Sequence, residues 1–270
     1  MDKQLSLSAL SDELSQVRTK KREFLAEIDR IVPWEKWISI IKPYYYKGER
    51  GNKPYDLERM LRIYLVQNLY NLSDMATVAE VIDSRAFSDF CGVESSNQVP
   101  DGDTLGRFRN ILMRNGIQQE LFAQVVELLM QRGLVHTVKV TAANEHDVTV
   151  TSELLTGDEE EVYGDSGYLG AEKRPEALKK NKAGKSVHDK INRRPSQSKN
   201  KSARSQAQIK RREHKKSSVR AKVEHVFAVV KLQLRFRKTR YRGLQKQTAK
   251  MNIMFALANL ILADRPCLAA

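Results

Sequence analysis

The sequence predicts an α/β protein, mostly helical overall, with a helical amino-terminal domain over residues 1–132 and a smaller α/β domain over 133–270. Three observations carry this. Apolar residues recur at helical spacing through almost all of the first 132 residues. A β-branched, alternating run, LVHTVKVTA, then follows Gly133 directly. Finally, charge is segregated: residues 171–250 hold 27 Lys and Arg against 5 Asp and Glu, a local net of +22, while the other 190 residues carry a net of −8.

Taken in order, Leu5, Leu10, Leu14, Val17, Phe24, Ile28 and Val32 form the apolar side of one long helix over 5–31, stopped by Pro33. A short helix, Trp34–Ile41, ends at Pro43, and YYYKGERGNKP (44–54) is a loop. Helices are predicted at 56–71, at 73–83 with Ser73 as N-cap, and near 85–91, before a turn-rich link at 93–103. Thr104–Asn115 and Ile117–Arg132 form two more, parted by Gly116. Beyond Gly133, Leu134–Ala142 reads as a strand, Val148–Leu155 as a short helix, and Glu160–Tyr163 as a second strand ending in GDSGYLG (164–170). Ala171–Lys179 reads as a helix and Val187–Asn192 as a further strand. Residues 193–217, polar and basic, read as mobile or ordered only by a partner. SVRAKVEHVFAVVK (218–231) is a helix, LQLRFRKTRYRG (232–243) a basic β-like stretch, and Leu244–Asp264 the closing helix.

With 41% apolar and 30% charged residues, the composition is that of a soluble globular protein. Its two cysteines, Cys91 and Cys267, are too far apart in sequence for a ligand motif, which argues for a reducing compartment without zinc or disulfides. No secretory signal opens the chain, and the run Ile253–Ala263, interrupted by Asn259, is too short to span a bilayer. A cytoplasmic protein is expected. Basicity confined to one segment is the footprint of a polyanionic partner, most often nucleic acid.

Two residues carry candidate chemistry. On helix 218–231, Val219, Val223, Val226 and Val230 make an apolar stripe, and Arg220, Glu224, Phe227 and Lys231 make a second one about 100° away. Glu224 thus sits among cations, either as an ordinary i,i+4 ion pair with Arg220 or as a site acid. Asp165 follows a strand in a Gly-Asp-Ser-Gly turn, either bonding its own backbone or offering an accessible carboxylate. Carboxylates so placed can hold two Mg²⁺ ions against a phosphodiester.

YGDSGYLG, followed by R-x-x-x-E-x-x-x-x-x-x-K (Arg220, Glu224, Lys231), resembles the DDE transposases of bacterial insertion sequences, most closely the insertion-sequence-five type. The likeness covers nearly the whole chain: PDGDTLGRFR (100–109) resembles part of the family's amino-terminal helical domain, and VKVTAANEHDVT (138–149) the stretch before its second acid. The resemblance implies an RNase H-like catalytic core over 133–270, here truncated. Asp165 would be the second catalytic aspartate and Glu224 the glutamate, together holding Mg²⁺, with Mn²⁺ able to substitute. Arg220 and Lys231 would contact phosphate, with Arg235, Arg237 and Lys238 as further DNA contacts. A tyrosine usually stands three residues before the arginine; here it is Ser217.

The family's first aspartate has no counterpart, because no aspartate occurs between Asp103 and Asp147. The resemblance therefore implies an internal deletion that removes the first strand of the core. If strands 134–142 and 160–163 form a parallel βαβ unit, Asp147 or Glu145 approaches Asp165 from where the missing acid belonged. The alternative is that His146 and Asp147 only cap the helix starting at Val148. The implied function is DNA transposition: metal-dependent hydrolysis at the element's ends, then attack of the 3′-hydroxyl on target DNA, with activity weakened by the missing acid. Implied partners are duplex DNA (terminal inverted repeats and target) and a second copy in a homodimer, with no membrane. The alternative is a non-catalytic DNA-binding repressor or inhibitor derived from a transposase. A basic RNA-binding protein of ribosomal type would need an aromatic platform that the sequence lacks.

Overall fold

A computed structural model describes residues 18–46, 53–129, 134–194 and 202–264. It is mostly helical and divides into two compact units, one of residues 1–67 and 72–110, the other of residues 68–71 and 111–270.

The first unit begins with α1 (Lys20–Ile31), where Thr19 Oγ1 accepts the Arg22 amide at 3.3 Å. Thr19 itself is extended, so the predicted continuous helix over 5–31 does not form; its part from Leu5 to Val17 lies outside the described residues. α2 (Trp34–Ile41) buries Trp37 and Ile41 and passes into a 3₁₀ turn holding Pro43. α3 (Leu57–Leu69), α4 (Asp74–Asp83) and α5 (Arg85–Cys91) follow as expected, with Ser73 Oγ capping α4 and Gly92, at φ +63°, closing α5. α6 spans Gly102–Arg114.

The PDGDTLGRFR motif has a structural role in this unit. Asp101 Oδ1 accepts the Thr104 amide at 2.6 Å, which caps α6 and holds the Asp101 carboxyl below its usual range. Arg109 forks onto the Asp74 carboxylate, which also accepts from Gln67 Nε2 at 2.7 Å. The free thiol of Cys91 is buried, and burial pushes it up to about 12.

In the second unit, α7 (Ile117–Leu128), entered through Gly116 at φ +66°, packs on the closing helix α9 (Leu244–Ala263). From Asn252 to Leu262 every residue of α9 is buried, the pattern of a helix surrounded by its own core. That packing puts α7 in the second unit, so the division falls at Asn110/Ile111, inside α6, rather than at the composition change near Gly133.

Leu134–Ala142 is not a strand. Its backbone finds a side chain instead: the Val135 amide donates to Asn259 Oδ1 at 3.2 Å and the Val135 carbonyl accepts from Asn259 Nδ2 at 2.7 Å. With no ladder partner, the β-branched pattern has nothing to pair with, and the predicted βαβ unit is absent. Among the described residues the sheet has two short strands, β1 (Glu161–Val162) and β2 (His188–Asp189), paired in parallel as Glu161↔His188 and Val162↔Asp189. The bonding continues past them, from the Asn192 amide to the Gly164 carbonyl at 2.9 Å.

Two predicted helices shrink. Asp147–Val150 is a 3₁₀ turn leading into one α-turn, Thr151–Leu154, and Ala171–Lys179 keeps a 3₁₀ turn only at Ala171–Lys173. By contrast, the basic segment expected to be mobile is helical from residue 203: α8 runs 26 residues, Ala203–Ala228, capped by Ser202. It ends in a π-helical turn, Val229–Gln233, and the predicted β-like stretch 232–243 forms no strand.

Candidate active site

Gly164 ends the β1 segment, and a β-carbon there would meet Ile191 Cδ1 at 2.7 Å and Tyr168 Cβ at 3.2 Å. Glycine lets the chain pass this close to Ile191 as it turns into Asp165, without displacing the Ile191 terminal methyl. Asp165 Oδ1 accepts the Gly167 amide at 2.8 Å, capping the 3₁₀ turn Ser166–Tyr168, so the local backbone bond expected of a turn aspartate is made. The residue remains exposed. A β-carbon on Gly167 would lie 3.0 Å from Asp165 Oδ1 and 3.4 Å from Asp147 Oδ2. The two carboxylates therefore flank one small gap, with these oxygens less than ~6.5 Å apart. Tyr168 reports the field of this gap: burial first, then the charges of Asp147 and Asp165, raise its phenol above the usual 10.0.

Asp147, Asp165 and Tyr168 line a cleft of about 410 Å³ whose opposite wall is α8, through Arg220, Val223, Glu224 and Phe227. Arg220 Nη2 and Glu224 Oε1 are 3.5 Å apart, so the i,i+4 ion pair exists, and the Glu224 side chain is 69% exposed rather than sealed in apolar packing. The valine stripe is buried only at its carboxyl end: Val226 and Val230 are in the core, whereas Val219 and Val223 are 41% and 53% exposed. Phe227 rests edge-on against Phe255, with ring centroids 5.7 Å apart.

Away from that carboxyl end, what holds α8 in place is polar. Glu213 accepts the Arg193 amide at 2.9 Å and Lys216 Nζ at 2.9 Å, and Lys216 also donates to the Ile191 carbonyl at 2.9 Å. Burial raises the Glu213 carboxyl, but these donors outweigh it and leave it below its usual range. Ser217 accepts from Asn192 Nδ2 at 3.1 Å.

The other expected site residues lie outside this cleft lining. Glu145 is exposed and does not line it, nor does Lys231, whose ammonium is 5.9 Å from the Phe227 ring centre. Arg235, in the left-handed region at φ +52°, stacks on Tyr70 at 4.8 Å and gives its carbonyl to Asn71 Nδ2. Arg237 and Lys238 are exposed. The side chain of His146 makes no capping bond, so the capping alternative for that residue is not realised; its carbonyl accepts from Thr149 instead.

Among the described residues, no group of three Asp, Glu, His or Cys side chains gathers as a metal cage. The donor chemistry still fits Mg²⁺, which binds through one or two carboxylates and keeps waters and phosphate oxygens for its other positions. Sequence reasoning does not single out Tyr168, although it lies within the YGDSGYLG motif, and nothing in the spacing marks Asn192 as the anchor of α8.

A family model described as a transposase DDE domain matches residues 124–260, and one described as a transposase domain (DUF772) matches residues 12–110. No solved structure matches the chain.

Proposed function

Since this chain belongs to the DDE transposases, we propose that it is the transposase of a bacterial insertion sequence of the five type, shortened by an internal deletion within an RNase H-like core. The observation that carries this reading is the pair of carboxylates on either side of Gly167, facing Arg220 and Glu224 across the cleft.

In this reading Asp165 and Glu224 hold a divalent cation, Mg²⁺ or Mn²⁺, and Asp147 takes the place of the absent first aspartate. When bound, the ion polarises a phosphodiester and lowers the pKa of a coordinated water. The chain's own residues orient the reactants. The Gly167 amide fixes one oxygen of Asp165, and Arg220 supplies a phosphate contact beside Glu224. Lys231, Arg235, Arg237 and Lys238 follow the DNA backbone. Duplex DNA, as terminal inverted repeats and target, is the substrate, and the helical amino-terminal unit binds ends and supports a homodimer. With the first strand of the core absent, cleavage is slower than in an intact relative.

The experiment is nicking of a supercoiled plasmid carrying the element's ends, with Mn²⁺. Slow nicking that Asp165→Asn and Glu224→Gln each abolish is the expected result. Nicking indifferent to both substitutions overturns the cleft, and tight end binding without nicking assigns the chain to the non-catalytic repressor reading.

A further inference from the structure

One face of α8 takes part in none of these interactions. Arg204, Arg211, Lys215 and Lys222 stand at i, i+7, i+11 and i+18, which places them within about 20° of a single line along a helix. All four are exposed, and the row is about 27 Å long at the helical rise. Gln208 and Ser218, also exposed, lie within about 40° of the same line, so the face is polar and without an aromatic ring from Arg204 to Lys222, and only beyond Lys222 does it pass into the core, at Val226. Both acids of the helix, Glu213 and Glu224, lie on the far side, about 180–200° round. The ion pairs on α8 among the described residues, Glu213–Lys216 and Arg220–Glu224, involve none of the four.

A charged helix face is most often merely solvated. Such faces are usually laced with opposite charges at i,i+4, whereas here Arg211 and Lys215 are like charges at that spacing, which disfavours the helix unless an anion offsets them. Neither the catalytic cleft nor the docking of α8 needs these residues, since Arg220, Glu224, Glu213 and Lys216 serve both from the other side.

We infer that the row Arg204–Arg211–Lys215–Lys222 is a second DNA-binding surface, which seats the phosphates of a duplex on the side of α8 opposite the cleft. It rests on the proposed function only in taking the partner to be DNA. A straight, rigid array suits the fixed phosphate spacing of a duplex, whose major groove is wide enough for a helix. Single strands are bound chiefly by stacking on aromatic rings, and the row offers none. One helix thus serves two segments of DNA, a strand in the cleft and a separate duplex on its back.

The test is fluorescence anisotropy of the full chain with a labelled 30-base-pair duplex of mixed sequence, titrated across KCl concentrations. The variant R204Q/R211Q/K215Q/K222Q keeps good helix formers, and circular dichroism checks its helicity. We expect the slope of log K against log [KCl] to become shallower by about 3–4, close to 0.9 for each phosphate no longer neutralised. Two pairs of equal charge loss separate the row from net charge: R211Q/K215Q should flatten the slope by about 2, and K210Q/R212Q by clearly less. An unchanged slope in the fourfold variant, equal losses from the two pairs, or tighter binding of a single strand or an RNA duplex of the same length would each overturn the inference. If Asp165→Asn abolishes nicking while the fourfold variant keeps its slope, the row fails and the cleft stands; the converse result spares the row alone.

Discussion

Asp147 and Asp165 present carboxylate oxygens to the same point, 3.4 and 3.0 Å from where a β-carbon of Gly167 would sit. The two acids come from segments eighteen positions apart in the chain, and the side chain that glycine lacks is what would separate them. Gly167→Ala should therefore weaken Mg²⁺ binding at least tenfold while cooperative unfolding persists, because its backbone is outside the left-handed region. Calorimetric titration with Mg²⁺ checks this, and undiminished binding would remove the gap from the proposed site.

Gly164 is constrained by packing rather than by chemistry. Gly164→Ala places a methyl 2.7 Å from Ile191 Cδ1, and overpacking of this kind costs about 1–3 kcal/mol. Urea denaturation should show that loss, and adding Ile191→Val should restore part of it.

Asn259 is fully buried and satisfies both polar groups of Val135. Asn259→Leu strands that amide and carbonyl, at a cost of about 1–3 kcal/mol. Hydrogen exchange at the Val135 amide should accelerate in step with the loss.

Tyr168 offers an optical probe of the cleft. Its phenol is raised by burial, Asp147 and Asp165 together, so Asp147→Asn should move its titration down toward the ordinary value, and so should Mg²⁺ bound between the acids. The raised value also means that the folded state disfavours the phenolate. Its contribution to stability is complete below the unfolded tyrosine pKa and is lost as the pH rises through the folded value. Difference absorbance near the phenolate band follows both effects.

Glu213 behaves in the opposite sense. Burial raises its carboxyl, but the Lys216 and Arg193 donors hold it below the usual range, so its stabilisation of α8 is present above the unfolded carboxylate pKa and lost as the pH falls through the folded one. Glu213→Gln should abolish that acid-side step and weaken the tie between the Arg193 amide and the helix, measurable as faster exchange along residues 213–220.

Much of the helical architecture is legible in spacing and punctuation: Ser73 and Gly116 stand where a cap and a break occur. Strands are harder. Leu134–Ala142 has the composition of a strand but no neighbour to pair with, and pairing is not written in a single segment's pattern. Residues 203–217 look unstructured in sequence because their charge masks helical propensity; the anchors that fix them, Asn192 and the Ile191 carbonyl, come from a distant strand end. At the site, Asp165, Glu224 and Arg220 do share a cleft, and Asp147 reaches it without the parallel unit invoked to bring it there. The turn that delivers Asp147 to the cleft, Asp147–Val150, is not legible in the sequence.

α8 contains neither glycine nor proline from Ala203 to Ala228, so it has no joint at which to absorb a change in length. Inserting or deleting one residue between Lys215 and Arg220 would turn everything beyond it by about 100°, and Glu224 would face away from Asp165 while the cations upstream kept their bearing. Descendants of this gene can therefore exchange side chains along the helix, but its residue count is locked between the strand end that grips it and the cleft it walls.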